Sequence, residues 1–255
     1  MASFLIDINC DMGESSALWD YSLQNDLELL QYITSMNLAC GYHAGDPATM
    51  QQLIQAAKKK QVAIGVHPSY PDRENFGRRS MSLPLDELYD SITDQLNILR
   101  TIAYAEDVVL HHVKPHGALY LDAFHSAELA NILAQAILDF DPSLILYAQT
   151  GSELIQQATQ KGLRVAQECF ADRTYQSDGQ LSARSDPRAL ITDPEQSLQQ
   201  AIAIVATRSA VALSGETIPL QADTLCIHGD HAGSLGLAKY LSIHLPKHGI
   251  GLQAI

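Results

Sequence analysis

The sequence predicts an α/β fold, an irregular seven-stranded (β/α) barrel, and three observations lead there. Short apolar, β-favouring runs at about 4–9, 35–39, 62–66, 108–113, 143–148, 164–168 and 223–227 alternate with helical stretches. Nearly every run ends in a cluster of polar, mostly titratable residues, as barrel strands do at the C-terminal mouth of their sheet. No GxGxxG or GxxxxGK(S/T) follows the first run, so the open, doubly wound alternative lacks its phosphate-binding turn.

A length of 255 residues with 46% hydrophobic and 18% charged side chains suits one barrel domain spanning 1–255, since such barrels run to about 250 residues. The formal net charge of -13, from 16 basic against 29 acidic side chains, opposes a phosphate-neutralising surface, and no nucleic-acid partner is expected. The start runs directly into a strand, with neither a basic leader nor an apolar stretch of membrane-spanning length. No membrane partner is expected, and the cytoplasm is the default location. Cys10, Cys40, Cys169 and Cys226 form no CxxC and are expected to be buried and inert.

The first run enters Asp7-Ile-Asn9-Cys-Asp11-Met-Gly-Glu14. Strand alternation puts Asp7, Asn9 and Asp11 on one side, the lumen or its mouth. Carboxylates there need a cation, a shared proton or a substrate donor, although Asp7 or Asn9 could instead fix backbone amides inside the barrel. A helix over 26–33 leads to the second run, which ends in Cys40-Gly-Tyr-His43-Ala-Gly-Asp46. His43 is a candidate for chemistry, whereas Asp46 before Pro47 reads as the cap of a helix over 48–60. The third run reaches His67 and a proline-bounded loop ending in Arg78 and Arg79, suited to a carboxylate or phosphate, or to a structural ion pair.

After a helix over 85–105, the fourth run carries the densest cluster, His112, Lys114 and His116. Their alternation lets all three converge on one pocket, where desolvation and mutual repulsion would lower their pKa values. Helices over 126–139 and 152–160 flank the fifth run. The sixth leads to Glu168, Asp172 and Arg173 and opens a polar segment, 169–191, which contains Arg184 and is long enough to read as a lid. Beyond a helix over 194–207, 210–222 reads as a β-hairpin turning at Ser214-Gly-Glu-Thr217. The last run meets His228-Gly-Asp230 before a final helix over 232–245, and His125, His231, His244 and His248 read as surface or loop residues.

A divalent metal has a candidate site in Asp11, His67 and either His112 or His116, three ligands with an open position. No HExxH adds to it.

In order, DINCDMGE, SMNLACGYHAGDP, GVHPSYPD, FGRR, HHVKPHGALY, ECFADRTY and CIHGD resemble the LamB/YcsF family over almost the whole chain. Leu121, Ser182-Ala183 and His231-Ala232-Gly233 depart from the family's usual residues and bear on substrate positioning. The resemblance implies a barrel of the glycoside hydrolase/deacetylase type and the role of the A-subunit in a 5-oxoprolinase. That enzyme converts 5-oxo-L-proline, with ATP as cosubstrate, to L-glutamate, ADP and phosphate. It further implies the 5-oxoprolinase subunits B and C as partners; a homo-oligomer is left open. On this view Asp11, Lys114, His116 and His43 are catalytic. Asp7, Asn9, His67, Arg78, Arg79, His112, Glu168, Asp172, Arg173, His228 and Asp230 are then the substrate-binding set. Two alternatives stand beside it: a stand-alone, metal-dependent amide or carbohydrate deacetylase, and a non-catalytic scaffold.

Overall fold

Strands form where apolar side chains can be buried under helices while the opposite face meets its neighbours across a lumen. In the computed structural model, which describes residues 4–18, 21–227 and 233–255, six strands pair in sequence order and all in parallel. They are β1 (Phe4–Met12), β2 (Ser35–Ala39), β3 (Ala63–His67), β4 (His112–Val113), β5 (Ile145–Gln149) and β6 (Arg164–Phe170). A hairpin of β7 (Ser209–Val211) and β8 (Thr217–Pro219) stands apart as a two-stranded sheet, where the sequence placed it. Then β9 (Thr224–Ile227) pairs with both β6 and β1 and closes a seven-stranded barrel. One strand has no counterpart among the apolar runs: β10 (Ile250–Leu252) lies parallel to the start of β1, opposite Phe4 to Ile6.

The outer layer is α1 (Leu23–Leu29), α2 (Pro47–Lys60), α3 (Leu85–Ala105), α4 (Gly117–His125), α5 (Ala127–Phe140), α6 (Glu153–Gln160), α7 (Pro194–Ile202) and α8 (Ser234–His244). Asp46 caps α2 as expected, accepting from the Ala48 and Thr49 amides. Met50, Leu53, Ile54 and Ala57 fall on one buried face of that helix, the spacing of an amphipathic helix against a sheet. Helix α4 is a correction, because its glycine start and short length gave no periodic signal. The fourth strand is another: of the run 108–113 only two residues pair as strand. Among the described residues, no helix is long and apolar enough to cross a membrane.

The barrel interior is polar. Asp7 sits 1% exposed in the lower lumen, accepting from the hydroxyls of Thr34, Ser35 (2.7 Å) and Thr224 (2.6 Å). Burial raises its carboxyl pKa, and the three hydroxyls oppose that shift. One layer up, Asn37 donates to Asn9 (2.7 Å) and to Asp11 (2.8 Å), and Asn9 donates to Glu168 (2.9 Å) and Thr224 (2.7 Å). His112 fills this layer, stacked on Tyr147 at 4.0 Å between ring centroids and donating to Asn37 Oδ1 at 2.8 Å. Gly65 on β3 makes room for it, since a Cβ there would lie 2.1 Å from His112 Nε2.

Candidate active site

The strands deliver their last residues to a cavity of about 450 Å³ at the C-terminal mouth, a size suited to a small molecule. Asp11 comes from β1, His67 from β3, Lys114 and His116 from the turn after β4, and Phe170 from β6. Tyr120, Leu121 and Leu181 add an apolar wall, and Arg78, Arg173 and Arg184 bring three guanidinium groups to the lining.

At the floor, Lys114 Nζ lies 2.9 Å from Asp11 Oδ1, 2.8 Å from Glu168 Oε1 and 3.1 Å from Asn9 Oδ1. Tyr120 donates to the other Glu168 oxygen at 2.6 Å. The sequence suggested a lowered lysine pKa, and here the structure corrects it. Burial is the largest effect and does pull the ammonium down, but Asp11, Cys226 and Glu168 together outweigh it and hold the pKa well above the usual lysine value. Lys114 is therefore a fixed cation between two carboxylates. Asp11 is the partner that reaches the cavity, with 13% of its side chain exposed.

Beside this floor stand three imidazoles and Glu14. His67 Nδ1 bonds the Lys114 carbonyl at 2.7 Å, and His116 Nε2 bonds the Phe76 carbonyl at 2.8 Å. Their other nitrogens, His67 Nε2 and His116 Nδ1, face each other at 3.1 Å. His43 stacks on His116 with centroids 3.9 Å apart. Glu14 Oε1 lies 3.4 Å from His43, 3.8 Å from His67 and 3.3 Å from His116. Burial first, then neighbouring imidazoles, push the His43 and His116 pKa values well below the usual histidine value, the direction the sequence suggested for His116. At Gly77, where φ is +64°, an added Cβ would lie 3.0 Å from His116 Cδ2 and 3.1 Å from His43 Cβ, so glycine leaves room for both rings.

Of the residues expected to act on substrate, Asp11, His67, Arg78, Lys114, His116 and Arg173 line the cavity. The rest are placed otherwise. Asp7, Asn9, His112 and Glu168 are buried beneath the floor, and His43 is the fully buried member of the imidazole cluster. Asp172 is buried outside the lining, and Arg79 is exposed outside it. Arg173 donates to the backbone carbonyls of Ala189 and Ser182 at 3.2 and 2.6 Å. It thereby ties down the segment 169–191, which the sequence marked as a lid and which contributes Leu181, Ala183 and Arg184 to the wall. His228 and Asp230 lie outside the described residues. The metal set also changes: His67 and His116 group with Glu14 and His43, while His112 is packed against Tyr147. Asp11 adjoins the group, 3.4 Å from His67. Glu14, Asn37, Tyr120 and Phe170 belong to the site although sequence reasoning missed them. Glu14 had a signal, lying three residues after Asp11 in the same polar cluster, and Asn37 had one in the polar alternation Ser35-Met-Asn37 of an otherwise apolar run.

The sequence model of the LamB/YcsF family matches residues 6–255. A Bordetella parapertussis protein named as the A-subunit of 5-oxoprolinase is 49% identical over 249 residues, covering 98% of each chain. A Brevibacillus brevis protein of the same name is also 49% identical, over 98% of this chain and 97% of its own. The crystal structure of a lactam utilization protein from Thermus thermophilus superposes with a TM-score of 0.92 at 39% identity, over 99% of this chain and 100% of that one. With the match spanning both the floor residues and the imidazole cluster, the chain belongs to the LamB/YcsF family.

Proposed function

We propose that this chain is the A-subunit of an ATP-dependent 5-oxoprolinase, opening 5-oxo-L-proline to L-glutamate in its cavity. The observation that carries the reading is the Asp11 carboxylate, fixed by Lys114 and Asn37 and presented to a small cavity lined by arginines. A five-membered lactam is a stabilised amide, so its opening needs activation. Transfer of the ATP γ-phosphoryl group to the lactam oxygen makes the ring carbon electrophilic, with ADP as leaving group. Water then attacks that carbon, Asp11 takes the proton, and the ring C–N bond breaks as the nitrogen is protonated. The acyl phosphate so formed is hydrolysed by a second water to glutamate and phosphate. Arg78 and Arg184 suit the substrate carboxylate and the phosphoryl charge. The ammonium of Lys114 is committed to Asp11, Glu168 and Asn9, so its part is to orient Asp11 and balance its charge. No GxxxxGK(S/T) loop is present in the sequence, which favours ATP delivery at a surface shared with subunits B and C.

Glutamate release from 5-oxoproline, measured for the chain alone and with subunits B and C, each with and without ATP, tests this. Turnover is expected only when the chain, both partners and ATP are present together. A second reading, metal-dependent amide hydrolysis without ATP, draws on the cluster of Glu14, His43, His67 and His116. ATP-independent turnover by the lone chain, abolished by a chelator, would replace the first reading with the second.

A further inference from the structure

We infer that Glu14, His43, His67 and His116 form a binding site for one divalent transition-metal cation of the zinc type at the wall of the cavity. The tautomers come first. Backbone carbonyls only accept hydrogen bonds, so His67 Nδ1 and His116 Nε2, at 2.7 and 2.8 Å from the carbonyls of Lys114 and Phe76, are the protonated nitrogens. Lone pairs are therefore left on His67 Nε2 and His116 Nδ1, which face each other at 3.1 Å. Two facing lone pairs repel unless a cation lies between them. Carbonyl-bound N–H groups of this kind also orient the histidines of metal centres.

The spacing fits the same ion. Zinc–nitrogen and zinc–oxygen bonds of about 2.0–2.1 Å place tetrahedral ligands about 3.3 Å apart. Here Glu14 Oε1 is 3.3 Å from His116, 3.4 Å from His43 and 3.8 Å from His67, and the four ligand atoms, all within 4.8 Å of one another, would contract onto the ion. A proton shared by His67 and His116 would account for that pair alone. It leaves His43, fully buried with neither ring nitrogen hydrogen-bonded, without a function. The His43 and His116 planes are only 7° apart, so their lone pairs run nearly parallel, and coordination by both would require His43 to tilt toward the ion. Three imidazoles with one carboxylate favour zinc, iron or nickel over magnesium and calcium, which take oxygen ligands.

The experiment reads bound metal, not turnover, so it is decided whether or not the chain opens 5-oxoproline. The full chain is stripped with a chelator, reloaded with Co(II) or Zn(II), and desalted. Metal content and the visible Co(II) spectrum are then recorded beside circular dichroism. About one ion per chain with a tetrahedral-type Co(II) spectrum is expected, with magnesium and calcium not retained. Glu14→Gln and His116→Gln should each weaken Co(II) binding tenfold or more, in the range that loss of a supporting group costs a metal site, whereas His244→Ala should bind normally. Should the variants fail to fold, the Co(II) titration of the wild-type chain decides alone. A folded wild-type chain that retains no transition metal and shows no Co(II) spectrum overturns the site.

Discussion

Lys114 and Glu168 meet at 2.8 Å beneath the cavity floor, with Glu168 fully buried and Lys114 3% exposed. Because Asp11 shares the same ammonium, Lys114→Met strands two carboxylates at once. Breaking a buried pair from one side costs about 3–5 kcal/mol, and that loss is expected in urea unfolding of this variant. Adding Glu168→Leu removes the deeper stranded charge and should recover part of it. A Lys114→Met protein of wild-type stability would show that the pair contributes nothing to the fold.

Asp11→Asn keeps the shape of the side chain and removes its charge. If Asp11 takes the proton from the attacking water, kcat in the reconstituted, ATP-supplied system should fall about 10²- to 10⁴-fold with KM little changed. Undiminished kcat would transfer the base to another group of the cavity wall.

Asp26 gives a pH prediction. Its Oδ2 accepts from the Gly13 amide and the Tyr21 hydroxyl, each at 2.8 Å, yet burial dominates and pushes its pKa from 3.8 up to about 6. Below about pH 4 the group is protonated in both states and costs nothing. As the pH rises to about 6 the unfolded chain releases its proton first, so stability falls by up to about 3 kcal/mol and then levels. Asp26→Asn should flatten that stretch of the urea-midpoint profile, and an unchanged slope would assign it to other groups.

Gly65→Ala tests the lumen packing. The added methyl would meet His112 Nε2 at 2.1 Å and Cδ2 at 2.3 Å. The ring is held by Asn37 on one side and Tyr147 on the other, so it has little freedom to retreat. A loss of about 1–3 kcal/mol, the usual cost of overpacking, is expected as a lowered thermal midpoint. An unchanged midpoint would mean that the ring relocates.

The barrel was legible because its outer layer obeys period: Met50, Leu53, Ile54 and Ala57 announce a helix, and each apolar run announces a strand. The hairpin and the Asp46 cap were readable from turn and capping chemistry. Other features were hidden because they depend on contacts distant in sequence. Lys114 could be read as a depressed, reactive amine from His112 and His116 alone. Only the fold brings Asp11, 103 residues away, into contact with it. Depth in the lumen was equally invisible, since alternation assigns Asp7 and Asp11 the same side without saying that one lies in the lower lumen and the other meets the cavity. Glu14 was overlooked because it falls past the end of β1, where the strand period no longer indicates direction.

The ladder between β9 and β1 sets the order in which this protein can become functional. It joins Asp7 to Thr224, 217 residues apart, and Asn9 to Cys226, so the floor of the cavity is completed by a strand that follows the first six barrel strands in chain order. Contacts of such sequence separation form late, after their loop-closure entropy has been met. Acquisition of the site is consequently coupled to synthesis of β9: a nascent chain ending before Thr224 has the imidazole cluster's residues but no closed lumen to fix the floor beside them.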